Sequence, residues 1–369
     1  MAIHKLMALI MCTFLLFGGS LQFSDRNSGA ALTEQSFAAD DDHVKPLGRS
    51  LFRNGVRMFT YTCSGIEFEF IGTSAEIDVV CGGKARVAVY LNDNIVTDRI
   101  LEKGDSKLEV FSSETSEKCK VTLRKLSGAG NNYVGVKRIN VVSKGAIAPT
   151  AEKKRRIEFI GDSITCGYGV DPQKQQAGFS GAVENGSKTY AALVAERFDA
   201  EYSICAWGGI GVYSSYSETS TPNQSVLIGD LYGKQGLYNA DWDFSKQQPD
   251  LIVLNIGAND NIWAKGKAER NQKFGEAYYG FLAQVRAANP DAYIICSFGV
   301  LGAGLMDEIR EQAGRFSRDT GDSRIYCLEF ERQNITRDGY GTAYHPSAET
   351  HRIMADKLEK FISEVMDWE

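Results

Sequence analysis

The chain has 369 residues, 43% of them hydrophobic and 24% charged, with a formal net charge of -6 at pH 7. That balance supports one large or two ordinary globular domains. The negative charge disfavours a polyanion-binding surface, and the one compact basic run, Lys153 to Arg156, reads as a solvated edge, so no nucleic acid partner is expected.

The first element is an apolar run from Leu6 to Phe17, preceded by one Lys and followed by Gly-Gly-Ser, which is the pattern of a signal peptide. Residues 1–39 are read as that signal and the start of a tether, with Ser36-Phe37-Ala38 as a cleavage site and a polar, acidic tether over residues 24–45. No later run approaches the roughly 18 to 20 apolar residues that cross a bilayer. The expectation is a secreted or cell-surface protein with no stable membrane insertion after cleavage. Besides Cys12 there are Cys63, Cys81, Cys119, Cys166, Cys205, Cys296 and Cys327, an odd set at irregular spacing inside apolar runs, which reads as small buried hydrophobes.

Residues 46–145 alternate with period two, as at Ile66, Phe68 and Phe70, at Val87, Val89 and Leu91, and at Cys119, Val121 and Leu123. Such half-buried strands separated by Gly, Asn, Asp and Ser turns predict an all-β, jelly-roll-like sandwich. The segment SKGAIAPTAEKKR reads as a linker. From residue 150 to 369 the apolar runs IEFIG, YSICA, DLIVLNIG, AYIICSFG and RIYCLEF alternate with helical stretches, which predicts a parallel sheet covered by helices on both faces. The site of such a domain lies beyond the carboxyl ends of its strands.

That rule separates two copies of Gly-Asp-Ser. Ser163 follows the strand IEFIG, where a strand-to-helix turn exposes a hydroxyl, whereas Ser323 precedes a strand. Of only four histidines, His345 lies in the loop before the last helix, whose N-cap is Ser347, while His351 falls inside that helix. His345 is therefore the candidate base. The Gly-rich turn CAWGGIGVY and the amide of Asn259 stand at two further strand ends and can supply oxyanion donors. With two histidines in the whole domain, the ligand supply is too poor for a metal, and no cofactor is expected.

Gly-Asp-Ser after the first strand, a Gly loop after the second, Gly-x-Asn-Asp after the third and His-Pro before the last helix together resemble the SGNH hydrolases. The β region LGRSLFRNGVRMFTYTCSGIEFEFIGT leading into IEFIGDSITCGYGV looks like the family 2 carbohydrate esterases, which join a jelly roll to an SGNH domain. The resemblance implies Ser163 as nucleophile, the N–H groups of Ser163 and Gly209 with the Asn259 amide as oxyanion hole, and His345 as general base and acid. It also implies deacetylation of plant glucomannan or xylan, at the primary 6-position. SGNH enzymes commonly place an Asp two or three residues before the histidine, but here those positions are Ala343 and Thr342, and the nearest carboxylates are Asp338 and Glu349. The reading is then a Ser-His dyad, which some members of the family resemble, with a backbone carbonyl holding the imidazole. Trp263 and Tyr344, at strand ends, are the candidate sugar-binding aromatics; Tyr213, Tyr216, Tyr232, Tyr238 and Trp242, in the long loop after residue 206, either face sugar or pack the loop. The rival readings are an SGNH lipase or arylesterase acting on small esters, and a catalytically silent carbohydrate-binding protein.

Overall fold

The computed structural model describes residues 30–130, 132–171, 181–236 and 240–369. The apolar run Leu6 to Phe17, Cys12 and Tyr238 lie outside them. The first half is all strand: β1 (Thr33–Phe37), β2 (Lys45–Leu47), β3 (Leu51–Arg53), β4 (Val56–Phe59), β5 (Gly65–Cys81), β6 (Ala85–Leu91), β7 (Asn94–Leu101), β8 (Gly104–Lys125) and β9 (Val134–Ser143). They form one antiparallel sheet in the order β3-β4-β9-β5-β8-β6-β7, with β1 on β9 and β2 on β5.

β5 shows how one sheet encloses a core. It buries Ile66, Phe68 and Phe70 in its first half but Ala75, Ile77, Val79 and Cys81 in its second, a switch from even to odd positions. Its ladder to β9 shifts register between Gly72 and Ser74, and the extra residue, Thr73, keeps the apolar side facing inward. The first half pairs with β2 and the end of β8, the second with β9 and the start of β8. Phe68, Phe70, Ile77, Val87, Val121 and Val136 accordingly share one core, as expected of a sandwich.

β1 corrects the reading of residues 24–45 as a tether. Thr33–Phe37 runs antiparallel to residues 139–143, so the sheet begins well before residue 46, and cleavage at Ser36-Phe37-Ala38 would cut through a paired strand. The strand TEQSF is polar and mostly exposed, so it carries little of the hydrophobic alternation that marks a strand in sequence.

The second half alternates strand and helix: β10 (Arg155–Gly161), α1 (Ser163–Cys166), α2 (Tyr190–Arg197), β11 (Ala200–Ala206), α3 (Ile228–Tyr232), β12 (Leu251–Asn255), α4 (Ala258–Ala264), α5 (Ala268–Ala288), β13 (Tyr293–Phe298), α6 (Met306–Thr320), β14 (Ile325–Glu329) and α7 (Ala348–Met366). The five strands are parallel in the order β11-β10-β12-β13-β14. β12 is buried throughout, because α5 and α6 cover one face with Phe274, Tyr278 and Ile309 and α2 and α7 cover the other with Val194, Leu358 and Ile362. Each such side chain contributes on the order of 2 kcal/mol by leaving water. After β11 the chain crosses back over β10 to lay down β12, so the switch point of the sheet is at β10.

Buried charges join the two halves. Lys45 Nζ lies 2.6 Å from Glu201 and 3.1 Å from Glu67, and Arg49 donates to Glu158 at 2.8 Å while sitting among Tyr232, Trp242 and Phe244. Removing one partner of such a pair strands a buried charge, at a cost of about 3 to 5 kcal/mol.

Candidate active site

The ends of three strands stand level: Gly161 of β10 pairs with Ala206 of β11 and with Asn255 of β12. Ser163, Gly209 and Asn259 each follow one of these residues within a few positions, so the register itself places all three at the switch point.

Ser163 opens the single turn α1. The Asp162 side chain caps that turn by accepting from the Ile164 N–H at 3.0 Å, and Gly167 ends it at φ 78°, a left-handed conformation that suits glycine. The first N–H groups of a helix have no partner inside it, so the Ser163 N–H has no acceptor within α1. Burial pushes the Asp162 carboxyl up to about 7, against the N–H groups of Ile164 and Ala258.

Ser163 Oγ and His345 Nε2 are 2.8 Å apart. The loop Gly341 to His345 is tight, with the Gly341 N–H donating to His345 O at 2.7 Å and the His345 N–H to Thr342 O at 3.2 Å. Ala343 and Tyr344 occupy the left-handed region at φ 53° and 59°, conformations that cost on the order of 1 to 3 kcal/mol each in non-glycine residues. That turn sets Ala343 O 3.3 Å from His345 Nδ1. A carbonyl there selects the tautomer with its proton on Nδ1, leaving the Nε2 lone pair toward the serine. Asp338 pairs with Arg337 and Glu349 with Arg352, so both nearby carboxylates are engaged away from the imidazole. Tyr168 meets the His345 ring edge-on, with centroids 4.6 Å apart.

Burial lowers the His345 pKa below 6.5, while the Ala343 and Thr342 carbonyls oppose the shift. A general base must be neutral, so the acid limb of kcat/KM is expected to have its midpoint below pH 6.5. A pH profile with the midpoint above 6.5 would show a carboxylate or other anion acting on the imidazole.

Gly209 adopts φ 79° in the turn after β11, and its carbonyl accepts from the Tyr216 N–H at 2.7 Å. Asn259, buried in the first turn of α4, donates from Nδ2 to Ile210 O at 2.7 Å, which ties its amide to the Gly209 turn. Next to it, wholly buried Asp260 accepts from the N–H groups of Val212, Tyr213 and Ser214 at 2.9, 2.8 and 2.7 Å. Burial pushes its carboxyl up to about 6 despite those donors.

The two candidate aromatics part company. Tyr344 is 65% exposed and stacks on Tyr340 at 4.9 Å. Trp263 is only 2% exposed, its indole N–H donates to Ser220 O at 3.0 Å, and Tyr213 packs on its ring, so it braces the long loop and presents no open face. Tyr232 and Trp242 are buried in the same way, whereas Tyr216 is half exposed beside Gly209. Ser323 lies in the turn between α6 and β14, away from these strand ends.

A family model for GDSL-like lipases and acylhydrolases matches residues 157–358, which span β10 to α7 and contain Ser163, Gly209, Asn259 and His345. The chain belongs to the GDSL-like lipase/acylhydrolase family. Its relatives agree with the resemblance read from the sequence. Cellulase/esterase CelE of Acetivibrio thermocellus is 32% identical over 345 residues, 91% of this chain, and the chain spans 41% of that relative's length. An acetylxylan esterase / glucomannan deacetylase of Cellvibrio japonicus is 23% identical over 368 residues, covering 97% of this chain and 99% of the relative. Among solved structures, a family two carbohydrate esterase from Clostridium thermocellum in complex with cellohexaose superposes with a TM-score of 0.80 at 29% identity, over 88% of this chain and 100% of that one.

Two features of this GDSL-like site escaped the sequence reading. Asp260 was visible only as part of Gly-x-Asn-Asp, where Asp reads as a helix cap; its partners are N–H groups nearly fifty residues earlier in the chain, in the Gly209 loop. Tyr168 had no signal, since an edge-on ring contact across more than 170 residues leaves no local pattern.

His351 belongs to the packing of α7. It is wholly buried, its Nδ1 accepts from the Tyr190 N–H at 3.3 Å, and its ring stacks on Tyr190. Burial lowers its pKa from 6.5 to about 3. Because the folded value is depressed, its contribution to stability is complete above pH 6.5 and is lost as pH falls toward 3, a total of about 4 to 5 kcal/mol. His351→Gln is therefore expected to flatten the dependence of unfolding free energy on pH between 6.5 and 3, measured by denaturant titration. Parallel pH curves for the two proteins would contradict this.

Proposed function

We propose that the chain is a secreted carbohydrate esterase that removes O-acetyl groups from plant glucomannan or xylan, at the primary 6-position, through a Ser163-His345 dyad. The observation that carries the reading is the 2.8 Å contact between Ser163 Oγ and His345 Nε2, with the Ala343 carbonyl behind Nδ1. His345 takes the proton as Ser163 attacks the acetyl carbonyl. The Ser163 and Gly209 N–H groups and the Asn259 amide receive the oxyanion. The sugar hydroxyl leaves with the proton from His345, and water repeats the two steps on the acetyl-serine.

One Asn259 amide proton is spent on Ile210 O, and that bond aims the other. Asn259→Ala is expected to lower kcat by about 10² to 10³ with little change in KM, as loss of one oxyanion donor does elsewhere. An unchanged kcat would remove Asn259 from the oxyanion hole. Exposed Tyr344 and Tyr216 supply faces on which a pyranose ring can stack. The reading is tested by acetate release from acetylated glucomannan and xylan, with the surviving acetyl positions followed by NMR. Loss of 6-O-acetyl signals supports it. Turnover of short-chain aryl or lipid esters with no release from either polysaccharide would favour the small-ester reading.

A further inference from the structure

The β domain reaches the back of the proposed catalytic turn through two buried side chains, Lys125 and Glu184, which meet on the backbone of Gly128. Lys125 is the last residue of β8 and is wholly buried; its Nζ donates to Ser127 O at 2.6 Å and to Gly128 O. The Gly128 N–H donates in turn to Glu184 Oε2 at 2.8 Å, and a Cβ on Gly128 would stand 2.8 Å from the other Glu184 oxygen. Glu184 is 2% exposed and lies in the other domain. Burial pulls the Lys125 pKa down to about 8 and pushes that of Glu184 up, and the charge of each opposes the shift of the other.

From these residues, backbone hydrogen bonds run to the Ser163 turn and to the loop that carries His345. The Gly186 N–H donates to Leu126 O at 2.9 Å, which fixes the segment after Glu184 on the β domain. The Asn185 N–H donates to Gly167 O at 3.1 Å, and Gly167 closes the turn that Ser163 opens. The Tyr168 N–H returns to Ser163 O at 3.0 Å, and Gly169 O accepts from the Thr342 N–H at 3.0 Å, at the base of the His345 loop.

We propose that Lys125 and Glu184 are positioning residues, through which the β domain holds the Ser163 turn and the His345 loop at their working distance. The inference rests on the dyad reading and goes beyond it by making the β domain part of the catalytic device. Since no carboxylate among the described residues pairs with the His345 imidazole, the 2.8 Å contact depends on where these two backbone segments are held.

The test compares Lys125→Met, Glu184→Gln and the double variant with the unaltered full chain and with Ser163→Ala, using 4-nitrophenyl acetate turnover, the rate of Ser163 labelling by a fluorophosphonate, and thermal melting to establish folding. Lys125→Met is expected to lower kcat about 10- to 100-fold and to slow labelling in parallel, with KM changed less than about two-fold, because small misplacements of reacting groups cost rates of this order. Glu184→Gln keeps an acceptor for the Gly128 N–H, so its loss is expected to be smaller. The double variant is expected to regain part of the loss, since it removes both of the buried charges that act on each other. Folded Lys125→Met with unaltered kcat and labelling would overturn the proposal, as would a double variant whose loss is the product of the single losses. If Lys125→Met fails to fold, Glu184→Gln and the double variant carry the same comparison. An inactive unaltered chain would instead refute the dyad reading, whereas activity that is lost in Ser163→Ala and kept in Lys125→Met refutes this proposal alone.

Discussion

Ser163→Ala is expected to lower kcat for acetyl ester hydrolysis by a factor on the order of 10⁴ to 10⁶, the loss that follows removal of a serine nucleophile. The expectation follows from position. Ser163 stands at the switch point of the parallel sheet, at the start of a helical turn, with its Oγ 2.8 Å from His345 Nε2. The effect should be on chemistry, with KM little changed, because the proposed donors at Gly209 and Asn259 remain in place. Ser323→Ala is the matched control. It carries the same tripeptide in the turn before β14, and its kcat and melting temperature are expected to equal those of the unaltered chain. Steady-state kinetics on 4-nitrophenyl acetate checks both; a Ser163→Ala chain retaining more than about a tenth of the activity would remove the nucleophile from the account.

His345→Gln is expected to cost nearly as much as Ser163→Ala, and the double variant no more than either alone. Members of a nucleophile and base unit fail together, since a serine without its base is as inert as no serine. The absent Asp sharpens this expectation. Where a triad has a carboxylate, the imidazole is oriented by charge as well as by geometry. Here orientation comes from a 3.3 Å contact to the Ala343 carbonyl, from two strained residues in the loop and from the edge of Tyr168. A double variant whose loss multiplied the two single losses would mean that Ser163 and His345 act separately.

The sequence made much of this legible because the features involved are local. The five apolar strand runs, the Ser347 cap and the position of Gly-Asp-Ser relative to its strand are patterns of a few residues each, and the structure forms them where the patterns lie. β1 was missed because TEQSF is a polar edge strand whose stability comes from its ladder to β9, a partner about 105 residues away. Trp263 was misread for a related reason. Its place at a strand end is visible in sequence, but the Ser220 carbonyl and the Tyr213 ring that bury it are brought there by the fold of the long loop. The braces of the site, Asp260, Lys125 and Glu184, are buried side chains, and the backbone partners of Asp260 and Glu184 lie in distant segments or in the other domain, so charge and spacing along the chain give no sign of them.

The most direct test of the central claim is to treat the full chain with a fluorophosphonate and locate the adduct by peptide mass spectrometry. Stoichiometric modification of Ser163, loss of esterase activity at the same rate, and no label in His345→Gln on that timescale are the expected results. An active chain that is labelled at another residue, or that loses activity while Ser163 stays unmodified, would contradict the claim.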